Sequence, residues 1–243
     1  MLREQLLKKG LRSDKDFRWR GEEVSRLEGL SDAVFAFAVT LLVVSLEVPR
    51  AFPDLLQTMK GFVAFGICFT MLIFIWHNHY IFFRRYGLQN LYIITLNAVL
   101  LFVVLFYIYP LKFLFTYLAN VLLGMNQDAS NLIRIESQQT PTLMVIYSMG
   151  FFTIFFVFFL FYLYAYQKRQ VLQLNVVEIA LTRFSMQAQI IYLSIALLSI
   201  VIVAIGGASS SAWAGLIYAL IGPARTVHGI VFGRQLKKMQ AVS

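Results

Sequence analysis

The residues able to do chemistry in this chain are few, and they stand out because they sit in apolar runs. Ser31, Asp32, Thr40 and Glu47 fall around one run and His77, Asn78 and His79 near the end of a second. Asn97 lies in a third, and Arg225 and His228 lie in the last. Polar groups in such surroundings are costly to bury, so each is a candidate for function. Metal binding is the first chemistry to weigh. His77 and His79 are two apart, which on a helix turns them about 200° from each other, so they do not grip one ion together. A zinc helix places its histidines four apart. Nucleophilic catalysis needs a nucleophile beside a base, and the chain has neither a Gly-x-Ser-x-Gly elbow nor a phosphate-cradling loop. No catalytic residue, metal or cofactor is therefore assigned, and the chain does not read as an enzyme. Two chemistries remain: a proton relay through Asp32 and His77, or hydrogen bonds that lock helices together. One imidazole of the pair would face a neighbouring helix, and the other would sit at the interface beside Trp76 and Tyr80.

The elements that must position these residues are membrane helices. Of 243 residues, 59% are apolar, 14% are charged and 23 are Phe. A soluble domain is nearer 45–50% apolar and about 25% charged. The composition excludes an ordinary soluble enzyme, a disordered chain and a disulfide scaffold. The lone Cys68 reads as a small buried hydrophobe. A spanning helix needs about 20 mostly apolar residues. Six runs qualify: Leu30–Val48, Gly61–Phe83, Leu88–Tyr109, Leu143–Tyr166, Met186–Ile205 and Ala212–Phe232. The third is apolar beyond Lys112, toward Val121, and Gly206–Gly207 reads as a tight turn between the last two. No signal peptide precedes the first run, because it extends too far for a cleaved segment. The expected organisation is a cytoplasmic N-terminal segment (1–29), a six-helix transmembrane domain (30–232) and a cytoplasmic tail (233–243).

The net charge of +9 is informative by its placement. With the N-terminus inside, seventeen Lys and Arg fall on the cytoplasmic side and four outside. That asymmetry predicts both termini in the cytoplasm of a bacterial-type plasma membrane, and it argues against nucleic acid as the partner. The Gln167–Ser185 segment alternates apolar and polar residues, as an amphipathic surface helix would. Arg225 reads as a snorkelling or paired residue rather than a voltage sensor, because no Arg repeats at spacing three.

The first run is the most unusual. Its Ser31 and Asp32 either cap the helix or, with Arg26, lock it to its neighbours. Arg26 followed by Leu30-Ser31-Asp32, and then by Ala33-Val34-Phe35-Ala36-Phe37-Ala38-Val39-Thr40-Leu41-Leu42-Val43-Val44, resembles the transmembrane protein 175 family of potassium channels in its prokaryotic, single-repeat form. Trp76-His77-Asn78-His79 and the Leu91…Asn97…Pro110 pattern are similar to that family's second and third helices. The likeness covers the first three helices by motif and the last three by hydropathy. Leu30 stands where Phe is usual, and Phe37 where an aliphatic residue is usual.

The resemblance implies an all-α homotetramer that passes potassium and other monovalent cations through a central pore lined by the first helix, without a carbonyl filter. It implies a constriction at Phe37, Leu41 and Val44, with Thr40 as the polar pore residue. It implies an inter-helix network of Arg26, Ser31, Asp32, His77 and Asn97. Glu47 either draws cations to the outer mouth or is a solvated helix end. Spacing alone does not select that stripe, because Phe35, Val39 and Leu42 form another. The alternative function is a proton-coupled secondary transporter using Asp32 and His77.

Overall fold

The computed structural model describes residues 13–14, 17–21, 23–44, 51–123, 136 and 138–240. Among these the chain is helical but for a short ribbon, in which β1 (Ser13–Asp14) pairs antiparallel with β2 (Phe17–Arg18). The helices are α1 (Arg26–Val44), α2 (Phe52–Tyr86), α3 (Leu91–Leu123), α4 (Thr140–Gln167), α5 (Val176–Leu216) and α6 (Ile221–Gln240). A 3-10 turn, Ile217–Leu220, leads into α6.

Local sequence accounts for the helix starts. Ser25 and Glu28 close a capping box: the Glu28 N–H donates to Ser25 Oγ at 3.1 Å, and the Ser25 N–H donates to Glu28 Oε2 at 2.9 Å. This Ser-x-x-Glu pattern satisfies two amide donors at the start of α1. Ser31 and Asp32 are therefore not the cap; they lie a turn further in. A second box, Asn175 with Glu178, starts α5 at Val176. The residues 176–185 expected on the membrane surface are instead the first turns of α5, because that box nucleates the helix ahead of the apolar run. α3 runs through Pro110 and Lys112 to Leu123, as its apolar continuation predicts.

Among the described residues, four helical stretches are long and apolar enough to cross a membrane: Phe62–Tyr86, Leu91–Tyr117, Thr140–Gln167 and Val176–Leu236. The last has 61 residues. Held straight it would be about 90 Å long, three times the hydrocarbon thickness. It does not run straight. Gly207 takes φ 58° and ψ −142°, a conformation that side chains with a Cβ rarely adopt, and the chain reverses there. Ser199 Oγ donates to the Ala214 carbonyl at 2.9 Å across the reversal. Further down, the Phe184 and Phe232 rings stack with centroids 4.2 Å apart. The stretch is a hairpin, with its turn where Gly206–Gly207 predicted one. Pro223 lies in the first turn of α6, just after the 3-10 turn, where a missing amide is tolerated.

Aromatic side chains fill the core between α2 and α4. Phe82 stacks on Phe161 at 4.7 Å, and Phe82, Phe83, Phe158 and Phe161 are all buried. The N-terminal arm closes one end. Phe17 is buried edge-on against Tyr86 at 5.4 Å. The Arg20 and Gly21 amides both donate to the Arg84 carbonyl at 3.1 Å. A Cβ on Gly21 would lie 2.6 Å from the Phe83 carbonyl oxygen, so only glycine fits this approach. Arg20 then reaches the α4–α5 turn. Its guanidinium donates to both Glu178 carboxylate oxygens, at 3.0 and 2.7 Å, and to the carbonyls of Leu172 at 2.8 Å and Gln173 at 3.2 Å. The arm that leads into α1 is thus fastened to α2 and α5 at once.

Candidate functional site: the two faces of α1

α1 has 19 residues, about 28 Å of helix, close to one hydrocarbon thickness. Ser31, Phe35, Ala38 and Leu42 repeat at spacings of four and three, and all are nearly fully buried against α2 and α3. Phe37 lies on the other side and is 56% exposed. Ala33, Ala36 and Thr40 share that outer side and are also exposed. Leu41 is on the flank, half-buried. Val44 ends the helix, and Glu47 lies outside the described residues. Of the stripe Phe37, Leu41 and Val44, then, Phe37 points away from the bundle and Leu41 lies between the two faces. Phe35 and Leu42 face the chain's own bundle with Val39 half-buried beside them, whereas Phe37 and Thr40 face away from it.

The Thr40 hydroxyl donates to the Ala36 carbonyl at 3.0 Å. Its proton is thereby turned into its own helix, and its oxygen lone pairs are left outward. Such an oxygen is an acceptor only, which suits a cation and not an anion.

The buried face carries a hydrogen-bond chain across three helices. Ser31 Oγ donates to the Leu27 carbonyl at 2.8 Å, so its oxygen accepts from Asn97 Nδ2 at 2.9 Å. Asn97 Oδ1 then meets His79 Nε2 at 2.9 Å. An amide oxygen only accepts, so Nε2 carries the proton. All three side chains are within 1% of full burial. Of the five residues expected in this network, Ser31 and Asn97 meet. The histidine that joins them is His79, one of the two weighed. His77 is exposed and lies beside the Tyr80 ring at 6.4 Å, and Arg26 is exposed at the helix start. Asp32 accepts from Trp76 Nε1 at 2.8 Å. Trp76 was therefore a missing partner, and Asp32 and His77 do not bond to each other. The signal that favours His79 is positional: on α2 it falls in register with the buried Leu72, Ile75 and Phe82, whereas His77 does not. Among the described residues no group of three His, Cys, Asp or Glu gathers to hold a metal ion.

Fold and site together define a multi-pass helical membrane protein whose first helix is anchored by a polar chain on one face and left open on the other. The chain belongs to the TMEM175 family of potassium channels. The profile of the family described as endosomal/lysosomal potassium channel TMEM175 matches residues 26–107, which hold both faces of α1, His79 and Asn97. A protein of Marivirga tractuosa named a potassium channel is 40% identical over 231 residues, covering 92% of this chain and 94% of the relative. A crystal structure of a variant of the potassium channel MtTMEM175, bound to a nanobody fusion protein, superposes with a TM-score of 0.81 at 41% identity. That match covers 93% of this chain and 99% of the other. The structure of a TMEM175 homologue from Chamaesiphon minutus, described as a lysosomal potassium-selective channel, shares the fold at 22% identity with a TM-score of 0.50. It covers 87% of this chain and 96% of that one.

Proposed function

We propose that this chain is a homotetrameric potassium-permeable channel, with α1 of each subunit lining a central path. The observation that carries the reading is the division of α1. Its Ser31–Phe35–Ala38–Leu42 face is bound into the subunit, which leaves Phe37, Thr40 and the flanking Leu41 for a shared axis. Ala33, Ala36 and Thr40 are small enough to let such helices approach closely. Six crossings, counted from α1 to α6 with the Gly207 reversal dividing the last two, put both termini on one side. The excess of Lys and Arg assigns that side to the cytoplasm of the cell membrane.

The gate and filter are one hydrophobic constriction. A ring of Phe37 side chains, with Leu41 and Val44 beyond it, expels water and raises the barrier to a hydrated ion. Potassium holds its water less tightly than sodium, so it crosses such a ring at lower cost. Thr40 oxygens replace part of the lost water. Asp32 with Trp76 and the Ser31–Asn97–His79 chain fix the angle at which α1 meets this axis, and Glu47 draws cations to the mouth. The pore reading calls for no cofactor, and its ligand is the permeant ion. Potassium flux from liposomes, measured beside sodium, tests the reading. Phe37→Ala is expected to raise conductance, and Thr40→Ala to lower the potassium/sodium ratio by up to about tenfold, equivalent to about 1.4 kcal/mol. Unchanged flux and ratio in both variants would remove α1 from the pore.

A further inference from the structure

The C-terminal half of the chain carries charge that the protein itself does not balance. Beyond Glu136 there are seven lysines and arginines against one acid, Glu178. That acid is engaged: its carboxylate is buried and receives Arg20 at both oxygens, together with the Arg18 and Asn175 amides. Among the described residues, Arg225, on the α6 side of the α5–α6 groove, is held by rings and an imidazole and by no carboxylate. It lies over the Phe184 ring at 5.2 Å and the Tyr192 ring at 5.7 Å. Its Nη1 meets His228 Nδ1 at 3.0 Å. Arginine only donates, so Nδ1 accepts and the imidazole is neutral. The opposite nitrogen, Nε2, then donates to Gln187 Oε1 at 3.1 Å. The imidazole is stacked on Phe184, with centroids 4.3 Å apart. These neighbours fix the guanidinium in place and leave its charge intact.

Depth identifies what balances it. Arg225 and Gln187 lie about twenty residues on either side of the Gly207 reversal, or about 30 Å of helix, which is one hydrocarbon thickness. With the turn at one membrane surface, the guanidinium falls at headgroup level in the opposite leaflet. On the opposite face of α6, Val227, Ile230 and Val231 are 61%, 53% and 48% exposed, as a helix with lipid on its outer side requires. A planar fork of N–H donors matches two phosphate oxygens. Basic pockets between helices at this level are suited to anionic headgroups.

We propose that Arg225, held by Phe184, Tyr192 and His228 in the α5–α6 groove, is a binding site for the phosphate group of an anionic phospholipid. The site is independent of the pore reading, because lipid retention is measured without current. The test is native mass spectrometry of the full chain extracted from vesicles of phosphatidylcholine with a share of phosphatidylglycerol. The wild type is expected to keep phosphatidylglycerol in preference to phosphatidylcholine. Arg225→Gln is expected to lower that retention at least about fivefold, corresponding to the loss of one charge-assisted contact. Arg234→Gln makes the same charge change on an exposed residue of α6 and is expected to keep retention within about twofold. Equal retention in Arg225→Gln and wild type, or an equal fall in Arg234→Gln, overturns the site. So does stripping of the lipid by inorganic phosphate, which would mark a free-anion site. Should Arg225→Gln not fold, Arg225→Lys keeps the charge and loses the fork; retention there must still fall, and full retention overturns the proposal.

Discussion

Ser31 does two things with one oxygen. It returns its proton to α1 through the Leu27 carbonyl and accepts from Asn97, so the Asn97 amide oxygen is left to hold His79. Removing the middle member strands both ends: Asn97→Leu leaves the His79 N–H and the Ser31 oxygen without this partner in a buried site. The expected loss is about 1–3 kcal/mol, read as a lower thermal midpoint in detergent. His77→Leu, at an exposed position, is expected to stay within about 0.5 kcal/mol of wild type. A larger effect at His77 than at Asn97 would contradict the network. Asp32 and Arg20 are a contrast in kind. Asp32 accepts from Trp76 at an exposed edge of α1, so Asp32→Ala is expected to harm assembly, read as a loss of the proposed tetramer's mass, more than selectivity. Arg20 serves a carboxylate that is 1% exposed. Arg20→Ala leaves that charge with only its backbone donors, a change expected to cost about 3 kcal/mol and to expose the arm to protease. Glu178→Gln keeps an acceptor for the arm amide and is expected to be milder, and equal proteolysis in both variants would dissociate the arm from this ion pair.

At the scale of elements, α1 shows how a helix that is apolar throughout still acquires two faces. Nothing in its periodicity separates Phe35–Leu42 from Phe37–Thr40; the choice is made by what α2 and α3 present, above all His79 and Asn97. The sequence made the helix and its polar residues legible, together with the Gly206–Gly207 reversal, the extension of α3 and the sparing of one histidine for the interior. It did not make the choice of His79 legible, because the phase of α2 depends on packing that two adjacent apolar turns do not specify. The start of α5 was open to reading in Asn175-x-x-Glu178, but the alternating polarity beyond it suggested a surface helix instead. The arm was hidden for a different reason: Arg20 and Glu178 are 158 positions apart, and only the folded bundle brings them together. The Gly207 reversal carries a prediction of its own. Gly207→Ala forces a Cβ into positive φ, at about 1–2 kcal/mol. Nothing lies within 4 Å of the added Cβ, so the whole effect is backbone strain. A neutral Gly207→Ala in thermal unfolding would mean that the hairpin turns elsewhere.

The whole molecule is asymmetric about its own midplane, and that asymmetry gives a topology that is directly measurable. At one end lie the N-terminal arm, the end of α2 with Arg84 and Arg85, the α4–α5 turn with Lys168 and Arg169, and the Arg225 groove. At the other end the hairpin turn offers Gly206–Gly207 and Ser209–Ser211, with no charged residue between Arg183 and Arg225. Moving several guanidinium groups across a bilayer is far costlier than moving serines, so the basic end is expected on the cytoplasmic side. Cys68 is buried and is the only thiol, so a Cys68→Ala background gives a clean reporter. Ser209→Cys at the exposed turn is expected to react with a membrane-impermeant maleimide in intact cells. Gln170→Cys in the α4–α5 turn is expected to react only after the membrane is opened. The reverse pattern would invert the chain in the membrane. Reaction of both sites from outside would mean that α5 and α6 do not each cross, which would remove the paired crossings on which the proposed depth of Arg225 rests.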